Sequence, residues 1–236
     1  VTQKGPILPA LMLAIAAMLL PSPVAAQAWN FVYEDTELGK AVGNPDAQIA
    51  LTAFISYTCS ACGAFEKASD APMRLGYIGL GKVRLEVRPL IRNSVDTAAT
   101  LLAQCGPKEK FFDNHRAIFF AQASWLPRFL RASPAQKQRW DNGPMPSRMR
   151  AVAADMQFYD IMERQGFSRS ETDRCLADAA RAAQIEDASK AQTEAYQVQG
   201  TPSFLINDTL LDHVHDWRTL ERELNNKLAL GRITRG

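Results

Sequence analysis

Leu51-Thr52-Ala53-Phe54-Ile55-Ser56-Tyr57-Thr58-Cys59-Ser60-Ala61-Cys62 sets an apolar run directly before two cysteines that are separated by two residues. If the run is a buried strand and Cys59 opens a helix, Cys62 lies one turn further on and the two sulfurs can close a small disulfide. Opening and closing such a disulfide is two-electron chemistry that can be passed to cysteines of another protein. The same spacing is also half of a four-cysteine zinc site, but that site needs a second close pair. Cys105 and Cys175 stand alone, and His115, His213 and His215 show no ligand spacing around a cysteine cluster, so no metal is expected.

Outward from the cysteines the chain alternates strand and helix signals. Ala47 to Ser56 reads as a buried strand, and a helix from Cys59 or Ser60 to about Leu75 carries Phe65, Ala68 and Met73. From Lys82 to Pro89, Val83, Leu85 and Val87 alternate with Arg84, Glu86 and Arg88, which is the period of a strand. Together they form a strand–helix–strand unit. Thr97 to Cys105 predicts a short helix ending at Gly106-Pro107, and Lys108 to Ala123 a second with Phe111, Phe112, His115, Ile118 and Phe119 on one face. His115 sits at the edge of that stripe and has no nucleophile beside it in sequence, so it reads as a packing residue rather than a base.

The segment Trp125 to Pro146 is rich in proline and in basic residues, Arg128, Arg131, Lys137 and Arg139 among them. It predicts a solvated loop, with a docking surface for a partner or an anionic lipid as the sharper alternative. Its Trp125, Phe129 and Trp140 read as packing residues. Ser147 to Gln165 predicts one amphipathic helix stopped by Gly166, and Ser168-Arg169-Ser170-Glu171 a capping box opening a long helix towards Val198. Strand character resumes from Ser203 to Asn207, turns at Asn207-Asp208 and continues from Leu210 to His215. Asp216 then caps a last helix whose Leu220, Leu224 and Leu228 share a face. The order is that of an α/β protein of the thioredoxin-like type, interrupted by a helical subdomain at about 96–198.

The amino-terminal stretch predicts a compartment. Lys4 precedes an apolar run from Ile7 to Leu20, a Pro-Ser-Pro break and the small-x-small sequence Ala26-Gln27-Ala28, the pattern of a cleaved signal peptide over residues 1–28. The run falls short of the roughly 18 residues expected of a spanning helix, which makes an uncleaved membrane anchor the weaker reading. Export puts the cysteines where disulfides persist. Residues 1–28 carry one lysine and no acid, so without them the net charge falls from +2 to +1 and nothing global points to nucleic acid. The remaining residues 29–236 suit a single domain with a core of its own.

Phe54 to Cys62 at the front and Gly200-Thr201-Pro202-Ser203-Phe204 at the back, with a helical insertion between them, resemble the DsbA family of periplasmic thiol:disulfide oxidoreductases over most of residues 42–230. The resemblance implies that Pro202 is a cis proline beside the redox pair, flanked by Thr201, and that both lie where substrate binds. It implies a soluble periplasmic enzyme without metal or organic cofactor. Its partners would be reduced or misoxidised secreted proteins and a membrane redox partner. Related proteins often carry a second, structural disulfide in the helical block, which implies a Cys105–Cys175 bridge; two buried thiols or a regulatory pair are the alternatives.

Helix dipole and free amides at a helix start favour a thiolate on Cys59, the exposed attacking and leaving sulfur, with Cys62 as the resolving one. Two positions depart from the family pattern. Ala53 stands six residues before Cys59, where thioredoxin-like oxidoreductases commonly carry an acid, and Ser60-Ala61 lacks the histidine that stabilises the thiolate in DsbA-type motifs. The oxidising compartment favours an oxidase, with a reductase or isomerase as the alternative, and a non-catalytic binding module behind both.

Overall fold

The computed structural model describes residues 1–2 and 28–233. The expected signal segment lies almost wholly outside them. Among the described residues no helix is long and apolar enough to cross a membrane.

The apolar run before the cysteines is β3 (Ile49–Ile55), buried at all but Ala50. It leads into α1 (Ser60–Pro72) and returns through β4 (Val83–Pro89), which pairs with β3 in parallel. After α1 the backbone widens into a π-helical turn at Met73–Ile78, so the regular helix is shorter than the predicted stretch to Leu75. Two strands that the sequence pattern did not mark, β1 (Tyr33–Asp35) and β2 (Lys40–Val42), add an antiparallel edge to β4. At three residues each they are too short to establish an alternation. On the other side β5 (Ser203–Ile206) pairs antiparallel with β3 and carries β6 (Thr209–Leu210). The sheet runs β1-β2-β4-β3-β5-β6, which puts β3 and its following cysteines near the middle.

Between β4 and β5 the chain is helical. The first helix, α2 (Ser94–Ala103), starts three residues before the predicted Thr97 because Asn93 caps it, accepting from the amides of Val95 and Asp96. Residues 95–103 are all buried, so this helix is the axis of the block. Around it come α3 (Phe111–Phe120), α4 (Gln122–Leu130), α5 (Pro134–Asp141), α6 (Met145–Asp155), α7 (Phe158–Arg164), α8 (Arg169–Leu176) and α9 (Ala179–Ala195). A last helix, α10 (Trp217–Ile233), begins after Asp216, whose carboxylate accepts from the amide of Thr219. It packs on α1 and β3. This is the expected thioredoxin fold with a helical insertion.

Four local expectations are corrected. Trp125 to Pro146 is not a loop but contains most of α4, all of α5 and the start of α6. Two of its prolines open helices: Pro134 and Pro146 stand in first turns, where the missing amide hydrogen has no partner to lose, while Pro127 lies inside α4. Trp125 and Trp140 are buried, as their packing role requires. The expected single helix from Ser147 to Gln165 breaks at Gln157, which adopts a left-handed φ of 59°. The capping box of Ser168 and Glu171 is present, but its helix stops at Leu176, and the Asp178 carboxylate caps a fresh start by accepting from the Arg181 amide. β6 ends at Leu210, with one further ladder bond from the Leu211 amide to the Phe204 carbonyl at 2.9 Å, and His213 has a left-handed φ of 59° within the stretch predicted to be extended.

Candidate active site

Cys59 caps α1 in an extended conformation, φ −91° and ψ 117°, and its carbonyl accepts from the Gly63 amide at 3.2 Å. No side chain caps the helix, so its first amides face the sulfur. The sulfur is half-buried and, when protonated, donates to the Thr201 carbonyl at 3.1 Å. Cys62, one turn further on, is fully buried. Both are free thiols here. The Thr201-Pro202 bond is cis. Chain segments 142 residues apart therefore meet at one sulfur.

The two sulfurs differ sharply in acidity. A hydrogen bond from the Cys62 thiol is the largest influence holding Cys59 down, to about 5 from an ordinary 9.0. Burial opposes it, while Thr201, the Cys62 amide and the charge of Arg92 assist. The Thr201 hydroxyl is buried and has no other partner, so it can turn towards a thiolate. Burial, first, and the bond it gives to Cys59 push Cys62 far above the ordinary thiol range. One sulfur is thus an anion near neutral pH and its neighbour keeps its proton.

The loop from β3 into α1 is gripped from two sides. Asp96, fully buried in the first turn of α2, accepts from the Thr58 amide at 2.9 Å, from the hydroxyls of Ser56 and Thr58, and from the Arg92 amide. Burial raises its pKa, and those hydrogen bonds oppose the rise. Asn93 adds a bond to the Thr58 hydroxyl at 3.0 Å. From α4, the Gln122 amide donates to the carbonyls of Tyr57 and Cys59, each at 2.8 Å. Gly63 makes room for it, since a Cβ there would lie 2.0 Å from the Gln122 oxygen.

His115 is fully inside rather than at the edge of a stripe. Its Nδ1 lies 2.9 Å from the Tyr57 hydroxyl and its Nε2 3.1 Å from Glu66. Tyr57 is held protonated by burial, so it donates to Nδ1 and leaves Nε2–H to donate to Glu66. Ala53 supplies no acid, as its side chain dictates. It lines instead a cavity of about 130 Å³ shared with Phe65, Glu66 and His115. On the far side of the pair, His215 Nδ1 lies 2.9 Å from the Pro202 carbonyl.

Of the residues singled out in the sequence, Cys59, Cys62, Thr201 and Pro202 come together. Cys105 and Cys175 are joined to each other at the end of α2 and in α8, with Cα atoms 5.6 Å apart. Arg92, Asp96, Gln122 and the Glu66–His115–Tyr57 chain were missed. The one sequence signal among them is Asp96, a lone acid opening an otherwise uncharged helix. The described residues contain no cluster of His, Cys, Asp or Glu able to hold a metal.

The family described as Thioredoxin matches residues 35–226. A crystal structure of a protein-disulfide isomerase from Novosphingobium aromaticivorans is 38% identical, with a TM-score of 0.77 over 80% of this chain and 96% of that one. The α-DsbA1 of Wolbachia pipientis shares the fold, at 15% identity and a TM-score of 0.68 over 86% of this chain and 96% of that one. A Rickettsia conorii protein, named provisionally as a protein-disulfide oxidoreductase, is 24% identical over 179 residues, which is 75% of this chain. The aligned region spans 56% of that relative's own length.

Proposed function

The chain belongs to the thioredoxin family, and from that premise we propose that it is a DsbA-like thiol:disulfide oxidoreductase, exported to the periplasm, that oxidises cysteine pairs of secreted proteins. The observation that carries this reading is the split between Cys59, half-buried with a pKa of about 5, and the buried, protonated Cys62 one turn behind it. In the oxidised protein a substrate thiolate attacks Cys59 Sγ, the Cys59–Cys62 bond breaks, and Cys62 leaves with the electron pair and takes up a proton. A second substrate thiolate then attacks the substrate sulfur of the mixed disulfide, and Cys59 departs as the stabilised thiolate. The substrate has lost two electrons and the protein has gained them. A membrane redox partner would remove them again. The Thr201 carbonyl, beside Cys59, and Pro202, which has no amide to donate, offer an edge for an extended substrate segment.

Export rests on the apolar run and the Ala26-Gln27-Ala28 site in the sequence. An isomerase is the second reading, favoured by the name of the 38% identical Novosphingobium protein. A glutathione redox titration of the Cys59–Cys62 pair separates the two. Thiolate stabilisation makes the disulfide oxidising, so the midpoint is expected between about −120 mV for a strong oxidant and about −270 mV for a strong reductant. An oxidase reading also requires that the pair be isolated from cells mainly as the disulfide. A midpoint at the reductant end with protein isolated as the dithiol transfers the assignment to the reductase or isomerase. A pair that never equilibrates with glutathione removes the enzymatic reading altogether.

The acidity of Cys59 gives a second expected result. Alkylation of the reduced protein should be half-maximal near pH 5 and level well below the ordinary thiol value of 9.0. The sign for stability follows from the lowered value in the folded state. The thiolate's contribution to the reduced protein is complete above about pH 9 and is lost as pH falls through about 5. The melting midpoint of the reduced form should therefore fall relative to that of the oxidised form on acidification through that range.

A further inference from the structure

We propose that Arg92 is the fixed cation that stabilises the Cys59 thiolate in this chain, in place of the histidine that Ser60-Ala61 does not provide. The inference rests on the reading of Cys59 as the reactive sulfur and goes beyond it by assigning the source of its charge stabilisation.

Arg92 lies in the short link between β4 and α2, and its backbone amide is tied to the buried Asp96 carboxylate at 3.1 Å. Its Nε donates to the Ser56 hydroxyl at 3.0 Å, and its Nη2 to the hydroxyl of Thr58, the residue before Cys59, at 3.3 Å. An ordinary surface arginine gains little from its position, because a long side chain must be held still against its own entropy. Here two side-chain bonds and a tethered amide hold the guanidinium beside the loop that carries the sulfur. Its side chain is 47% exposed, so the charge stays hydrated while its location is set.

Asp96 forms an ion pair with Arg92, Nε 3.8 Å from the carboxylate, and donors from Ser56, Thr58 and the Arg92 amide hold it in place, so it offsets part of the guanidinium's charge. The other titratable groups around this end of α1 are accounted for. Cys62 is the buried partner thiol, Glu66 and Tyr57 are both engaged by His115 of α3, and His215 is bonded to the Pro202 carbonyl. Arg92 also lowers the Cys59 pKa by its charge, an effect smaller than those of the Cys62 and Thr201 hydrogen bonds and added to them. A thiolate stabilised in this way is a better leaving group, and the disulfide it forms is more oxidising.

The test uses the full exported protein with Arg92→Gln, which keeps polar reach without charge, and Arg92→Lys, which keeps charge. The Cys59 pKa is read from thiolate ultraviolet absorbance of the reduced protein against pH. Arg92→Gln is expected to raise it by up to about half a pH unit and to shift the glutathione equilibrium towards the dithiol's oxidation by up to about threefold. Arg92→Lys should stay near the wild type. About 1 M salt should raise the pKa of the wild type more than that of Arg92→Gln, since a half-exposed charge is screened. A Gln variant that titrates like the wild type overturns the proposal, and so do Gln and Lys variants that shift alike. The absorbance reads Cys59 without any protein substrate, so this test can fail while peptide exchange succeeds, and exchange can fail while it succeeds.

Discussion

Cys59→Ser is expected to abolish exchange with a disulfide-bonded peptide, whereas the Cys59 thiolate of Cys62→Ser should attack that disulfide, release one peptide thiol and hold the other half as a stable mixed disulfide visible by mass spectrometry. The asymmetry follows from burial. Cys59 is half-buried and reaches the edge at Thr201, while Cys62 is wholly enclosed and can act only on a sulfur already bonded to Cys59. Removing Cys59 takes away the atom that forms the intermolecular bond; removing Cys62 takes away the internal thiol that resolves it. An adduct on the Cys59→Ser protein, with none on Cys62→Ser, reverses the assigned roles. Adducts on neither would point to a pair that does not exchange.

Replacing Cys105 and Cys175 together by Ala should leave exchange unchanged and lower stability by up to about 4 kcal/mol, the chain-entropy value for a loop of this size. The bridge spans 70 residues of the helical block, from the end of α2 to α8. In a protein of this size each kcal/mol moves the melting midpoint by about 2–4 °C. Exchange should be spared because α2 itself separates the two sites. Asn93 and Asp96, at its start, hold the Cys59 loop, while Cys105 lies past its other end, about 15 Å away at 1.5 Å per residue. A double variant that melts like the wild type but exchanges more slowly contradicts this division of labour. A peptide map with both thiols free in quenched protein contradicts the bridge itself.

Much of the fold could be read from local pattern because the physics that made it is local. The run of Leu51 to Ile55, apolar but for Thr52, needs a strand buried on both faces, and β3 is paired on both edges. Alternation from Val83 to Arg88 is a property of the pleat, and the Ser168–Glu171 box is a contact across one helical turn. The Cys59–Cys62 spacing is likewise one turn. Where several local signals competed, pattern erred. Prolines at 134 and 146 suggested a loop, yet a first-turn proline suits a helix, and the buried Trp125 and Trp140 supply the packing that holds α4 and α5. The helix breaks at Gln157 and Ala177 lie in a block whose α6, α8 and α9 pack against α2, an arrangement that no window of a few turns contains.

The candidate site divides in the same way. The sequence by itself determined the reactive pair, the strand that presents it and the proline segment that meets it, because each is written in adjacent residues with their own chemistry. Only the tertiary structure decided what surrounds the pair. Asp96 and Arg92 bond to Ser56 and Thr58 across 34 to 40 residues, Gln122 to the loop carbonyls across more than 60, and His115 to Glu66 across 49. A buried carboxylate or imidazole is stable only when its partners arrive from elsewhere in the chain. Its identity is local, but its role is set by the partners that folding brings to it.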